Sequence, residues 1–280
     1  MQDASEGRTM DISMFGPLQV RDGDRVLGPR DLGGVKPRQV LELLLLARGH
    51  LVCTDVIATA LWPEGGEPRN VVATLNTYVC VLRHSMFVDQ SLARRVIVTG
   101  PGAYRLALEE VNLDLDRFDE LLLQAERAPR QERIRLLSEA AGLAGGPVLE
   151  HARYDEWVQD DRLVYEDRTT RAHLDLALDW LTEGERSTCL RHAEIALSHD
   201  RYSEEAYRLI MLANHGLGRH DVVRRALGRC RAVLERELGV SCGPETERMA
   251  AAIEARASES DILDAFYPTA LRLVPELSVA

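Results

Sequence analysis

Lysine is nearly missing from this chain: Lys36 is the only one, and arginine carries almost all the positive charge. No apolar run approaches the roughly 20 residues that a membrane-spanning helix requires. Met1–Met10 is polar and acidic where an export signal is basic and then apolar. These absences predict a cytoplasmic chain that engages no membrane. The five cysteines (Cys53, Cys80, Cys189, Cys230, Cys242) are odd in number, scattered, and never spaced C-x-x-C. That argues against a disulfide framework and a thiolate zinc site, and for reduced, mostly buried thiols. Enzyme signatures are missing too: there is no H-E-x-x-H, no G-x-S-x-G and no G-x-G-x-x-G. His192, His199, His215 and His220 lack the spacing of metal ligands and read as surface or repeat-packing residues. No catalytic residue, metal or cofactor is expected, and the chain is read as a non-enzyme.

The 280 residues suffice for two domains, and 45% hydrophobic with 28% charged residues is ordinary for a globular protein. The net charge of −11 divides unevenly. Residues 1–110 hold 12 Lys/Arg and 13 Asp/Glu, summing to −1, and the remainder sums to −10. Within Pro68–Arg105, five arginines (Arg69, Arg83, Arg94, Arg95, Arg105) meet one acid, Asp89, a local balance of +4. A basic segment beside an acidic half points to nucleic acid. The acids Asp155, Glu156, Asp160, Asp161, Glu166 and Asp167 read as a solvated helix face, or else as a partner-docking surface.

Period-2 alternation of Ile12, Met14, Leu18 and Val20 predicts strands broken at Gly16-Pro17, and Arg25–Leu27 returns as another. Lys36-Pro37 opens a helix with Val40, Leu41, Leu44 and Leu45 as its apolar stripe. Thr54 caps a second helix, Asp55–Trp62, followed by the breaker-rich loop Pro63–Pro68. A third helix, about Arg69–Phe87, buries Val72, Leu75, Val79, Leu82 and Met86. Its opposite face (Asn70, Ala73, Thr74, Thr77, Cys80, Val81, His84) is short and little charged, where a solvated face would carry Glu and Lys. Arg94–Leu108 reads as a hairpin turning at Thr99–Gly102. From Asn112 on the pattern is helical, with helices at Leu115–Arg127, Pro129–Leu143, Tyr154–Thr182, Arg186–Ser198, Ser203–Leu217, Asp221–Leu238 and Pro244–Ala257. Gly184 and Gly218 are 34 residues apart, the tetratricopeptide period, with Ala193 and Leu227 in register.

The predicted fold is an α/β winged helix-turn-helix domain (residues 11–110) followed by an all-α, tetratricopeptide-like domain (111–257). A disordered segment (1–10) and an ambiguous tail (258–280) flank them. In such a domain the third helix enters the major groove and the hairpin sets arginines on phosphates or in the minor groove. The DNA-contact candidates are Arg69, Asn70, Thr74, Thr77, Tyr78, Val81, Arg83, His84, Arg94, Arg95, Thr99, Tyr104 and Arg105. Arg83 also reads as a solvated or salt-bridged side chain, Tyr104 as packing between hairpin and helix, and Trp62 as core.

Val35-Lys36-Pro37-Arg38-Gln39-Val40-Leu41, Ala60-Leu61-Trp62-Pro63, Asn76-Thr77-Tyr78-Val79 with Leu82-Arg83, and Gly102-Ala103-Tyr104-Arg105-Leu106 together resemble the streptomycete antibiotic regulatory protein family. Asp116-Arg117-Phe118-Asp119, Gly216-Leu217-Gly218-Arg219, Glu235–Val240 and Gly243-Pro244-Glu245 resemble its bacterial transcriptional activation domain. The resemblance covers residues 11–257. It implies an activator that binds direct repeats in double-stranded promoter DNA upstream of secondary-metabolite genes and recruits RNA polymerase subunits, including sigma factor. It further implies pairing of two copies on repeated sites and polymerase contact through Trp62, Glu64 and Glu67. Cys80-Val81 stands where members usually carry serine and arginine, which removes a positive charge from the DNA face. No G-x-x-x-x-G-K-[ST] occurs, so ATP is not implied. A repressor using the same domain, or an interaction adaptor that no longer reads DNA, are the alternatives.

Overall fold

The computed structural model describes residues 10–152 and 155–268. The chain runs β1 (Met10–Ser13), β2 (Gln19–Asp22), β3 (Arg25–Leu27), α1 (Val35–Leu46), β4 (Val52–Cys53), α2 (Thr54–Leu61), α3 (Val71–Met86) and α4 (Gln90–Val96). β5 (Ile97–Gly100), β6 (Ala103–Leu106) and β7 (Val111–Leu113) follow. The helical remainder comprises α5 (Asp114–Ala125), α6 (Arg130–Leu143), α7 (Gln159–Thr182), α8 (Arg186–His199), α9 (Glu204–Gly216), α10 (His220–Val233), α11 (Pro244–Glu254) and α12 (Glu259–Phe266). The chain is thus mainly helical with small sheets near its start. Among the described residues no helix is long and apolar enough to cross a membrane.

Two compact units divide the chain: one runs through Phe118 and adds Ala144–Leu163, the other comprises Asp119–Leu143 and the chain from Val164 on. The first differs from the segment 11–110 that the sequence suggested. Met10 is already strand and buried, and β7 pairs in parallel with β1, Ile12 beside Leu113. Asp114, opening α5, accepts the Met14 N–H at 2.8 and 2.9 Å and the Phe15 N–H at 3.0 Å. Residues 147–150 return to the same edge: Gly16 N donates to Pro147 O, Leu149 N to Met14 O, and Glu150 N to Gly16 O. These long-range backbone bonds satisfy groups that would otherwise be buried unpaired. Residues 1–9 and 269–280 and Tyr154, which carried parts of the disordered-segment, tail and helix expectations, lie outside the described residues.

The α1 stripe is buried as the pattern predicts, yet Glu42 is buried with it. Its carboxylate meets Arg38 Nε at 3.0 Å and His151 Nε2 at 2.6 Å, so the charge is paired. A second sheet, in the order β4-β6-β5, holds the hairpin, with Ile97 opposite Leu106 and Thr99 opposite Tyr104. α2 begins one residue early: Thr54 is buried inside it, and Cys53, at the cap position, makes no side-chain cap bond. In place of one helix over Tyr154–Thr182, a 3₁₀ turn at Glu156–Val158 precedes α7.

The second unit repeats itself at the level of single hydrogen bonds. Gly184 N donates to Leu181 O and Glu185 N to Trp180 O; 34 residues on, Gly218 N donates to His215 O and Arg219 N to Asn214 O. Both glycines are left-handed (φ 82° and 70°), the conformation these turns require and side chains resist. Arg256, also left-handed at φ 61°, closes a third such turn. Ala193 and Leu227 are both buried, and α9 packs against both α8 and α10. Two histidines are locked inside this unit. His173 Nδ1 and His192 Nδ1 are 3.0 Å apart, so one donates to the other's lone pair, and the rings are neutral.

Burial, then neighbouring charge, holds both imidazoles at about 4, below their ordinary 6.5. A depressed histidine pKa makes the unfolded chain bind protons first, so stability is present above pH 6.5 and is lost as pH falls toward 4. Asp179, pushed up to about 6 by burial in spite of Arg133 and Arg130, which pull it down, works in the opposite sense over the same window. Urea unfolding of wild type and His192→Gln between pH 7 and 4.5 separates the two. The variant's stability should fall less steeply, by a difference on the order of 3 kcal/mol across the window. Parallel curves would mean that the pair carries no proton linkage.

Candidate nucleic-acid interface

α3 is built to present one face. Asn70 caps it, its Oδ1 accepting the Ala73 N–H at 3.0 Å, and Arg83 and His84 occupy the last turn where the helix end is negative. Leu75, Val79, Leu82 and Met86 are buried. Val72, expected among them, is 50% exposed. At 100° per residue it falls about 50° from the centre of that stripe, on its margin. Ala73, Asn76, Thr77, Cys80 and His84 lie exposed on the other side, with Thr74, Tyr78 and Val81 half-buried at its edges. Thr74 Oγ1 donates to Asn70 O and Thr77 Oγ1 to Ala73 O, each at 3.0 Å. Both hydroxyl protons are thereby used internally, leaving oxygen lone pairs and methyl groups for an outside partner. His84 Nδ1 donates to Cys80 O at 2.8 Å, which leaves Nε2 as its outward nitrogen.

Several predicted contacts also have structural partners. Tyr104 is only 2% exposed, and its hydroxyl donates to Asn76 Oδ1 at 2.8 Å. Period-2 alternation puts it in phase with buried Leu106, so it faces the core and is corrected from DNA contact to packing. Arg83 is half-buried and donates to Ile97 O and, at 3.0 Å, to Thr99 Oγ1. Burial, then Arg94, lowers its pKa, and its guanidinium serves the hairpin before any phosphate. Thr99, exposed, is that arginine's acceptor. Val81 packs toward Gly33, where an added Cβ would stand 2.1 Å from Val81 Cγ1 and φ is already +76°. Asn70 uses one lone pair of its carbonyl oxygen on the cap.

Arg94 and Arg95 were expected on the hairpin. They stand in the last turn of α4, a helix that Asp89 caps by accepting the Ser91 N–H at 2.8 Å. Both are exposed; Arg95 Nε donates to Glu110 at 3.1 Å, and Arg105 lies 3.9 Å from Glu109. Arg69 is exposed before the cap residue. Asn76 is the residue that sequence reasoning passed over. It is exposed beside Thr77, and with Oδ1 held by Tyr104 its amide N–H groups remain as oriented donors.

The residues expected to face polymerase gather on another part of the same unit. Trp62 is half-buried at the end of α2, with Lys36 Nζ 5.9 Å from its ring centre, while Glu64 and Glu67 are exposed. A groove of about 800 Å³ opens between α2 and the segment Asp155–Trp157, lined by Val56, Pro63, Glu64, Asp155, Glu156 and Trp157. Its charged lining is acidic, and exposed Val56 is one of its apolar residues.

Residues 113–254 match the family described as bacterial transcriptional activator domain. The chain belongs to the streptomycete antibiotic regulatory protein (SARP) family of transcriptional regulators. It is 29% identical over 248 residues to the transcriptional regulatory protein MoaR1 of Mycobacterium tuberculosis, covering 86% of this chain and 78% of that protein. Against the regulatory protein DnrI of Streptomyces peucetius the identity is 27% over 259 residues, covering 87% and 92%. The solved structure of Mycobacterium tuberculosis EmbR in complex with a low affinity phosphopeptide superposes with a TM-score of 0.78 at 24% identity, over 94% of this chain and 70% of that one. That likeness supports the fold alone.

The two ties from α3 to the hairpin give a direct test. Tyr104→Phe leaves Asn76 Oδ1 without its donor and should cost about 1 kcal/mol in urea unfolding, as one net hydrogen bond does. In a double-mutant cycle with Asn76→Ala the two losses should be strongly non-additive. Full additivity would mean that the pair is not bonded in solution.

Proposed function

We propose that this SARP-family chain is a sequence-specific, DNA-binding transcription activator whose first unit is a winged helix-turn-helix. α2 and α3 form the helix-turn-helix, and β5–β6 is the wing. The observation that carries this reading is the exposed face of α3, short side chains with no acid, held at a fixed angle to the hairpin by Arg83 and Tyr104. A face of that kind can approach base edges in the major groove, where donors, acceptors and the thymine methyl distinguish all four base pairs. Asn76 offers its amide donors, Thr77 and Thr74 their methyls and oxygens, and His84 its outer nitrogen. Arg69 and Arg94, with Arg95 and Arg105 at the margin, neutralise phosphates and read no sequence.

The activating half of the proposal rests on the acidic groove beside Trp62 and on the helical unit, whose residues 119–143 and 164–280 sum to a net charge of −6. Both suit a protein partner rather than DNA, and we assign them to RNA polymerase subunits, including sigma factor. Direct repeats upstream of secondary-metabolite genes, occupied by two copies, are the targets that family membership suggests.

Selection from a pool of randomised duplexes supplies a binding site, and fluorescence anisotropy on that site and on an unrelated duplex then sorts the contacts. Arg94→Ala should weaken both duplexes alike and reduce the salt slope by about one. Thr77→Glu should keep the wild-type circular dichroism and melting curve yet lose preference for the selected site, since one base-edge contact is worth ~1–3 kcal/mol. Retained preference in Thr77→Glu would remove α3 from the reading surface. With purified polymerase, Glu64→Lys should leave DNA affinity unchanged and lower transcript yield; unchanged yield would detach the groove from activation.

A further inference from the structure

Inside the helical unit two thiols are in contact. Cys230, on the buried side of α10, is 0% exposed, and Cys242, just before α11, is 9% exposed. Their sulfurs lie 3.4 Å apart across 12 residues of chain. The geometry that brings them together is defined: a π-helical turn at Leu234–Leu238 ends on Gly239 in the left-handed conformation, reversing the chain toward α10. Glu204 then fixes the far side, both its carboxylate oxygens accepting the Gly243 N–H at 2.9 Å.

We infer that Cys230 and Cys242 are a modification site, a reversible disulfide through which a hydroperoxide acts on the helical unit. Cys242 is the more exposed sulfur and reacts first. As its thiolate it attacks the peroxide: an S–O bond forms, the O–O bond breaks, and the departing alkoxide takes up the thiol proton. Cys230 then attacks the sulfenic sulfur of Cys242: the S–S bond forms, the S–O bond breaks, and hydroxide leaves with the Cys230 proton as water. Two thiols lose two electrons together, and one peroxide is reduced to an alcohol and water.

Burial pushes both thiols up, which keeps thiolate scarce and the first step slow. The second step is the reverse case, because the attacking sulfur is already in contact and need not be brought from solution. A metal ion is the competing occupant, since ligand atoms of Glu204, Cys230 and Cys242 all lie within 4.8 Å of one another. A closed structural zinc site takes four ligands, however, and this one offers three, of which the carboxylate is engaged by the Gly243 N–H.

The experiment uses the full chain carrying Cys53→Ser and Cys80→Ser, which removes the two exposed thiols and with them cross-links between chains. Hydrogen peroxide is added, and thiols are counted after denaturation and mapped by peptide mass spectrometry. The expected result is a Cys230–Cys242 linked peptide, two thiols fewer, Cys189 still free, and full recovery with dithiothreitol. The melting temperature of the oxidised chain should also rise, because the link restricts the unfolded state. Sulfinic acid at Cys242 with Cys230 still free, or a link to Cys189, would overturn the proposal. So would one tightly bound zinc ion per chain that protects both thiols from peroxide, which would make the site a metal site instead.

Discussion

The surface proposed to face DNA depends on how one helix is fastened to one hairpin. α3 alone would be a helix with a neutral, short-chained side, and β5–β6 alone a hairpin of two four-residue strands and a turn, marginal in water. Arg83 reaching Ile97 O and Thr99, and Tyr104 reaching Asn76, join them where both are otherwise polar. Hydrogen bonds from a charged donor in a partly buried place are worth more than exposed ones. They also fix an angle, which a hydrophobic contact alone does not. Two side chains that look like contacts for DNA thereby hold in place the face that carries Asn76 and Thr77, the face proposed to meet DNA.

Charge is partitioned to match. The net −11 of the chain would repel a polyanion, but the second half carries nearly all of it. Around α3 and α4, Arg69 and Arg94 are exposed and Arg95 is lightly paired, and in water a salt bridge such as Arg95–Glu110 contributes little and yields readily. In the helical unit several arginines are committed to carboxylates: Arg133 to Asp175 and Asp179, Arg186 to Glu259, Arg231 to Glu247. The one chemical type of cation in this nearly lysine-free chain serves two purposes, and its partners decide which.

Much of this was legible in the sequence where a local period governs. The burial of Leu75, Val79, Leu82 and Met86 follows from helical spacing, and the 34-residue separation of Gly184 and Gly218 is repeated bond for bond in the turns. α4 was hidden because Arg94-Arg95 leads into Val96-Ile97-Val98, a β-branched run that reads as strand. The overlooked signal was Asp89 two residues before Ser91, the cap that starts the helix. Tyr104's burial was available from alternation with Leu106. The return of residues 144–163 to the first unit had no local signal, since it rests on backbone bonds between segments more than a hundred residues apart. The paired Glu42 and His151 are hidden for the same reason: nothing near either residue announces the other.

The claim that α3 reads DNA can be tested where it would occur. A duplex bearing the selected site, with 5-iodouracil replacing single thymines, is bound by the full chain and irradiated, and the cross-linked peptide is identified. The account predicts attachment within Val71–Met86, centred on Asn76, Thr77 and their neighbours. Attachment confined to the helices from α8 onward, with α3 unmarked, would contradict it.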